Sequence, residues 1–189
     1  MRVFLAGASG AIGSRLVPQL RERGHEVTGS TRSPDRADEI REAGAEAVIC
    51  DAFDAEGLKR AVMGAMPDVV VNELTSLPRD YDPRKLDESF YAPTNRVRTE
   101  GGGNLLDAAR ASTAKRFVTQ SIAFLYAREG PMVADEEARP ATDAPPRHLA
   151  PGEVTLDLPG NLPQTAGDLS LGNQDALDLF LPVRRNAAG

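Results

Sequence analysis

Three glycines near the amino terminus have the spacing of a phosphate-binding turn. Gly7, Gly10 and Gly13 form the pattern G-x-x-G-x-x-G directly after the apolar run Arg2–Ala6. A strand, a glycine turn and a helix start bring backbone N–H groups and the positive end of a helix dipole toward an anion. Gly7 permits the tight turn, Gly10 removes a side chain where a pyrophosphate would touch backbone, and Gly13 lets the helix pack on the strand. The motif therefore predicts a dinucleotide-binding site.

The elements that must position this turn alternate between apolar runs and amphipathic stretches. Strands are predicted at 2–6, 25–28, 47–50, 68–71 and 116–120, and helices at 11–23, 33–43, 54–63 and 99–111. In the first helix we expect Ile12, Leu16 and Leu20 on the inward face, and Pro18 to remove a hydrogen bond or cause a slight kink. The alternation predicts an α/β fold with a doubly wound parallel sheet and right-handed crossovers.

The sequence changes character after about residue 128. Residues 131–163 carry many prolines and acids with little periodicity, and no sixth strand is expected. We therefore predict a dinucleotide-binding domain over residues 1–140, incomplete at its C-terminus. Residues 141–189 are predicted to be an irregular or disordered tail, in which 173–181 could form a short helix. A fragment, a shifted reading frame near 145–150 and genuine divergence are the three interpretations of this change.

Composition argues against several function classes. The net charge of −6 disfavours a nucleic-acid partner, and the absence of an 18-residue apolar run predicts no membrane span. Cys50 is the single cysteine, which excludes an internal disulfide and suits a reducing cytoplasm. Because Cys50 ends an apolar run, we expect it to be buried filler. His148 has no second His or Cys nearby, so no metal site is predicted.

Five segments, in their order along the chain, carry a resemblance to a known family. They are GASGAIG at 7–13, CDAFD at 50–54, PDVVVNELT at 67–75, EGGGNLLDAA at 100–109 and KRFVTQSIAFLYA at 115–127. They resemble the NAD-dependent epimerase/dehydratase family, an extended or atypical branch of the short-chain dehydrogenase/reductase superfamily. The resemblance implies a Rossmann-like NAD(P)-binding domain. It also implies oxidoreductase or epimerase-type chemistry on a small carbonyl or sugar-nucleotide substrate.

The resemblance further implies which residues hold the cofactor. The pyrophosphate would lie against the turn residues Gly7, Ser9, Gly10, Ala11, Ile12 and Gly13. Asp51 and Ala52 would lie against the adenine, with the carboxylate accepting from its amine; a capping or solvated acid is the alternative for Asp51. Leu74 and Thr75 would border the nicotinamide ribose. Ser121 stands where the superfamily keeps a Ser or Thr that hydrogen-bonds the substrate, although a strand-end hydroxyl is also common there.

The preference between NAD and NADP rests on the end of the second strand. NAD-selective proteins place an acid there to bind the ribose 2′-OH. No acid lies between Val27 and Arg32 in this chain. The Arg32 guanidinium would suit a 2′-phosphate, whereas its alternative role is a surface pair with Asp35 or Glu39. We therefore expect NADP(H) as the preferred cofactor, with NAD as the alternative.

The superfamily's catalytic Tyr and Lys, four residues apart after the fifth strand, are not found. The chain has three lysines, and the last of them, Lys115, precedes Ser121. Tyr81 and Lys85 have the required spacing, but they follow the fourth strand and Pro83 lies between them. An NAD(P)-dependent epimerase, dehydratase or reductase, a non-catalytic NADP(H)-binding or sensing module, and an inactive truncated chain therefore stay open. The substrate and the oligomeric state are not predicted.

Overall fold

Strands and helices alternate along the chain in the computed structural model, which describes residues 1–78 and 88–120 and the backbone of 153–157. The strands are β1 (Arg2–Ala6), β2 (Glu26–Thr31), β3 (Glu46–Ile49), β4 (Val69–Asn72), β5 (Arg116–Gln120) and β6 (Glu153–Asp157). The helices are α1 (Gly13–Glu22), α2 (Pro34–Glu42), α3 (Ala55–Ala65), α4 (Glu88–Arg96) and α5 (Gly102–Arg110). A π-helical turn, Val97–Gly101, joins α4 to α5.

The strands form one sheet in the order β3-β2-β1-β4-β5-β6. Neighbouring strands from β3 to β5 run parallel, with Leu5 of β1 opposite both Gly29 of β2 and Val71 of β4. The chain runs outward from β1 to β3 and then returns to the other side of β1. The predicted doubly wound parallel sheet is therefore confirmed. Its direction reverses between β1 and β4, where such sheets open a crevice at the carboxyl ends of the strands.

Both faces of the sheet are buried, because successive side chains of a strand point to opposite faces. Phe4 packs on one face with Leu58 of α3 and Leu105 of α5. Leu5 packs on the other face with Leu20 of α1. A strand covered on both sides favours apolar residues at every position, which explains the apolar run from Val3 to Ala6 in β1.

The second strand is longer than its sequence suggests. It was expected at 25–28 and continues through Gly29 and Ser30 to Thr31. A Cβ on Gly29 would lie 2.5 Å from the Cβ of Ala8 and 3.0 Å from Cγ2 of Ile40, so this glycine allows the turn and α2 to pack on the strand. Residues that resemble a turn in sequence thus form strand because of tertiary packing.

Two predicted helices begin elsewhere than expected. Ile12 precedes α1 and is 51% exposed, so its predicted inward position is wrong; Val17 and Leu20 are the large buried residues of α1. Pro18 lies inside α1, which continues through it to Glu22. The helix predicted at 99–111 starts instead as the π-helical turn Val97–Gly101, which follows α4.

The expectation of no sixth strand is also wrong. β6 pairs antiparallel with β5, with Phe117 opposite Leu156. The run EVTLD alternates polar and apolar residues, but it is only five residues long and follows a proline-rich stretch. The remainder of the predicted tail, including 173–181, lies outside the described residues. None of the described helices is long and apolar enough to cross a membrane.

Candidate dinucleotide-binding site

A cleft of about 230 Å³ opens at the carboxyl ends of the strands, where the sheet reverses direction. Its walls come from the residues that follow β1, β2, β3 and β4. Eight of the residues named from sequence line it: Gly7, Ser9, Gly10, Arg32, Asp51, Ala52, Leu74 and Thr75. The structure therefore brings together residues that are far apart in the sequence: 68 positions separate Gly7 from Thr75.

Close backbone contacts make two of the turn glycines obligatory. Gly7 has φ +84°, and a Cβ there would lie 2.7 Å from the carbonyl oxygen of Glu73. A Cβ on Gly13 would overlap the carbonyl oxygen of Gly7 and lie 2.7 Å from Cα of Ala8. Because the contacted atoms are all backbone, no side-chain rotation relieves these contacts. The packing agrees with the separate roles expected for these two glycines.

The start of α1 offers unused hydrogen-bond donors. Gly10 N donates to the Gly7 carbonyl (2.9 Å), and Ser14 N donates to the Gly10 carbonyl (3.0 Å). Among the described residues, the N–H groups of Ala11, Ile12 and Gly13 find no protein acceptor. Unpaired N–H groups at a helix N-terminus carry partial positive charge and favour an anion.

The space beside Gly10 fits a phosphate group. A Cβ on Gly10 would meet only the Gly7 carbonyl oxygen, at 3.1 Å, among protein atoms within 4 Å. Gly10 also lines the cleft, so a side chain there would project into space that the protein itself leaves open. Unpaired N–H groups at a helix start and open space beside a glycine are the features that anion-binding turns share. The N–H donors of Ala11, Ile12 and Gly13 belong to residues that do not line the cleft, and pyrophosphate binding at the turn stays a prediction.

A hydroxyl pair ties the turn to the end of β2. Ser9 Oγ and Thr31 Oγ1 are 2.9 Å apart, and Thr31 Oγ1 accepts from Ser33 N at 3.2 Å. The Ala8 N–H donates to the Ser30 carbonyl at 3.1 Å. These bonds hold the residues after β2 beside the turn. The contact of Thr31 with Ser9 was not predicted from sequence, since nothing local shows that these residues meet.

Two arginines line the cleft next to this junction. Arg32 directly follows β2, and Arg36 lies in the first turn of α2. The alternative pairing of Arg32 with Asp35 or Glu39 is absent: in the part of the chain that the structure describes, neither arginine forms an ion pair. Arg36 was missed from sequence, and its only signal is its spacing of four residues from Arg32.

The loop after β3 lines the cleft beside the end of β2, where Cys50 N donates to the Thr31 carbonyl at 3.1 Å. Asp51 is exposed, and its Oδ1 accepts from Phe53 N at 3.0 Å, so part of the carboxylate does serve as a local cap. Ala52 is buried, and its carbonyl accepts from Asn104 Nδ2 of α5 at 2.9 Å. Asp54 caps α3, as expected, by accepting from Gly57 N. Phe53 also lines the cleft and was not predicted to do so.

Cys50 is half-buried and lines the cleft, so it is more than core filler. Burial raises the pKa of its thiol, and the nearby Asp51 and Asp54 carboxylates add to this, against a hydrogen bond with Ser30. A raised pKa keeps the thiol protonated near neutral pH. Cys50 therefore lacks the thiolate that nucleophilic chemistry requires.

Buried polar contacts position the residues after β4. Asn72 Nδ2 donates to Thr119 Oγ1 of β5 at 3.2 Å, and Asn72 Oδ1 accepts from Leu74 N at 3.2 Å. Leu74 and Thr75 are thereby held at the cleft beside the end of β5. Ser121 and the pair Tyr81 and Lys85 lie outside the described residues.

Comparison with known proteins decides the family. The model of the NAD(P)H-binding family matches residues 7–147. This chain belongs to the NAD(P)H-binding family. The match begins at the first glycine of the turn and includes every residue that lines the cleft except Ala6.

Relatives of this NAD(P)H-binding chain include reductases. It is 47% identical over 147 residues to a 3-diazoavenalumate denitrifying reductase of Streptomyces sp, covering 77% of this chain and 45% of the relative. It is 29% identical over 147 residues to the 4-hydroxy-2-methyl-3-oxo-4-farnesyl-3,4-dihydroquinoline-1-oxide ketoreductase of Stigmatella aurantiaca, covering 77% of this chain and 40% of that protein. The chain thus spans less than half the length of these relatives.

Solved structures agree with the resemblance to epimerases. The UDP-glucose 4-epimerase of Thermus thermophilus in complex with NAD is 27% identical, with a TM-score of 0.60 over 75% of this chain and 44% of that one. The expected Rossmann-like fold of the epimerase and short-chain dehydrogenase/reductase type is therefore confirmed, as is an NAD(P)H-binding domain.

Proposed function

We propose that this chain is the cofactor-binding part of an NADP(H)-dependent reductase, which transfers hydride between the nicotinamide and a small carbonyl substrate. The observation that carries the proposal is that Arg32 and Arg36 line the cleft beside the phosphate-binding turn and form no ion pair with any of the described residues. The reductases among its relatives support the reaction class. A sugar-nucleotide substrate is the alternative, supported by the likeness to an epimerase.

Electrostatics favour the phosphorylated cofactor. A 2′-phosphate is strongly anionic, and a guanidinium can bind two of its oxygens at once. The arginines stand at the end of β2, where an NAD-selective protein would carry an acid, and residues 27–31 contain none. A carboxylate at this place would repel the phosphate, so the local charge discriminates between the two cofactors.

Each end of the cleft has a proposed task. The N–H groups of Ala11, Ile12 and Gly13 bind the pyrophosphate, while Asp51 and Ala52 border the adenine. Leu74 and Thr75 border the nicotinamide ribose. Bound NADPH supplies a hydride from its nicotinamide ring. Ser121 is the proposed donor of a hydrogen bond to the substrate carbonyl oxygen, which would hold that oxygen and favour negative charge on it.

Calorimetric titration of the chain with NADPH and NADH, for the wild type and Arg32→Glu, tests this proposal. Hydrogen bonds to charged groups contribute about 1.5–3 kcal/mol each. Loss of one arginine–phosphate contact is therefore expected to raise the NADPH Kd about 10- to 100-fold. The NADH Kd should change far less. Arg60→Glu makes the same charge change at an exposed position of α3 that does not line the cleft, and it should leave both constants nearly unaltered. Equal losses for the two cofactors would refute the assignment of Arg32.

A non-catalytic NADP(H)-binding module is the second candidate. It is favoured by the position of the last lysine, Lys115, before Ser121, since no Tyr and Lys pair of the usual kind follows. Oxidation of NADPH, followed by its absorbance with carbonyl and sugar-nucleotide substrates, separates the two functions. Binding of NADPH without turnover would favour the module. The small-molecule partner and the cytoplasmic location expected from the sequence stay predictions.

A further inference from the structure

A half-exposed aromatic ring stands at the mouth of the cleft. Phe53 follows Asp51 and Ala52, the two residues expected at the adenine, and it lines the same cleft. An apolar ring that remains partly in water is one that a flat apolar ligand can cover with a gain in free energy.

The loop that carries Phe53 is held at several points. The Phe53 N–H donates to Asp51 Oδ1, and the Asp54 N–H donates to the Asp51 carbonyl at 3.1 Å. Asn104 Nδ2 of α5 donates to the Ala52 carbonyl. A ring on so constrained a backbone loses little conformational freedom when a ligand stacks on it.

One face of the ring is already covered by a cation. The Arg96 guanidinium carbon lies 4.2 Å from the centroid of Phe53. Glu100 holds that guanidinium through two hydrogen bonds, from Nε at 2.7 Å and from Nη2 at 3.2 Å. The same bonds lower the pKa of Glu100, so its carboxylate stays charged over the ordinary pH range. These two hydrogen bonds favour the position of the Arg96 guanidinium over the ring, although both side chains are exposed.

The π-helical turn brings these groups to the loop. Arg96 ends α4, and Glu100 lies within the turn Val97–Gly101. A Cβ on Gly101 would lie 3.1 Å from the Cβ of Ala52, so this glycine allows the turn to approach the loop closely. Val97 of the same turn is buried and lines the cleft. Such π-helical turns are frequent at functional sites.

We propose that Phe53, backed by Arg96 and Glu100, forms the outer wall of the adenine subsite and stacks on the purine with the ring face opposite Arg96. This inference rests on dinucleotide binding in the cleft. The wall contributes affinity for the adenosine half of the cofactor and none for the nicotinamide half. Phe53 is thus the proposed stacking residue for the adenine, and Arg96 is a positioning residue that acts through the ring of Phe53.

The test uses three ligands with the purified chain: NADPH, adenosine 2′,5′-bisphosphate, and reduced nicotinamide mononucleotide measured by competition with NADPH. Phe53→Ala is expected to weaken the two adenine ligands about tenfold, the usual scale of one base–aromatic stack. Binding of the nicotinamide mononucleotide should be unchanged. Phe53→Tyr keeps the ring and should bind within about twofold of the wild type. Phe90→Ala removes an identical ring from α4 that does not line the cleft, and it should leave adenosine bisphosphate binding unaltered.

A second variant keeps the test independent of folding. Phe53→Leu retains apolar bulk without an aromatic face, and it should also lose affinity for the adenine ligands only. The inference is overturned if the wild type binds NADPH and both variants, Phe53→Ala and Phe53→Leu, bind adenosine bisphosphate as tightly as the wild type does. It is also overturned if all three ligands weaken together. A wild-type chain that binds none of them overturns the proposed function and this inference with it.

Discussion

Replacement of Gly13 by alanine is expected to separate the packing role of the turn from its ligand-binding role. The added Cβ would overlap the Gly7 carbonyl oxygen and lie 2.7 Å and 2.9 Å from Cα and C of Ala8. All of these atoms are backbone, so α1 must move away from β1 to relieve the contact. Val17 and Leu20 anchor α1 in the core, at 1% and 0% exposure, and resist that movement.

The cost follows from this geometry. Overpacking a closely packed site costs about 1–3 kcal/mol, and the upper half applies because no side chain can yield. For a domain of this size, each kcal/mol lowers Tm by about 2–4 °C, so Gly13→Ala should lower Tm by about 5–10 °C. Thermal unfolding followed by circular dichroism measures this change.

Two other glycines serve as controls for Gly13→Ala. Gly64 lies inside α3, and a Cβ there meets no heavy atom within 4 Å, so Gly64→Ala should stabilise the protein by about 0.5–1 kcal/mol. Gly10→Ala meets a single atom at 3.1 Å and should cost less than about 1 kcal/mol, since only a small shift is needed. Its Cβ fills the proposed pyrophosphate space, however, so NADPH affinity should fall more than tenfold. A Gly13→Ala variant as stable as the wild type would refute this account of the turn.

Two further predictions concern the core and the thiol. Leu105 is fully buried between α5 and the sheet, so Leu105→Ala should lower the free energy of unfolding in urea by about 2–5 kcal/mol. Leu106 is only partly buried, so Leu106→Ala should lower it clearly less. Equal losses of stability for the two variants would contradict the assigned packing. Because burial raises the pKa of Cys50, its alkylation by iodoacetamide should be slow at neutral pH and accelerate only above the range of an exposed cysteine. Bound NADPH should slow the reaction further, and a rate profile that rises at or below the ordinary thiol range would contradict the burial argument.

The raised pKa of the Cys50 thiol also makes the free energy of unfolding depend on pH. Its folded-state pKa lies above the unfolded value, so folding favours the protonated thiol. The stabilisation linked to the protonated Cys50 thiol is fully present below the pKa of the unfolded state, and it is lost as pH rises through the pKa of the folded state. Cys50→Ser should therefore flatten the alkaline decline in stability.

The phosphate-binding turn was predictable because its constraints are local. Gly10 and Gly13 approach only Gly7 and Ala8 of the same turn, and their spacing after an apolar strand carries that information. The approach of Gly7 to Glu73 after β4 is a long-range contact that this spacing does not show. The parallel order of the sheet followed from the alternation of elements along the chain. The inward face expected for Ile12 failed because the turn delays the start of α1 by two residues relative to the predicted helix.

The walls of the cleft depended on contacts between distant segments. β2 extends to Thr31 because Ser9 and Ala8 pack against its end, and its polar residues would otherwise predict a turn. β6 exists as a strand through its pairing with β5, since a short alternating run has no stability alone. Periodicity cannot reveal such pairings.

By itself, the sequence determined the family, the doubly wound sheet and the glycine turn, since each depends on short-range spacing or on the order of elements. Only the tertiary structure decided that Arg36 joins Arg32 in the cleft and that Arg96 covers Phe53. The physical reason is that both arrangements depend on how separate elements pack. Arg32 and Arg36 line the cleft only together with residues that follow the other strands, and Arg96 lies 4.2 Å from the ring centroid of Phe53, which is 43 positions away in the sequence.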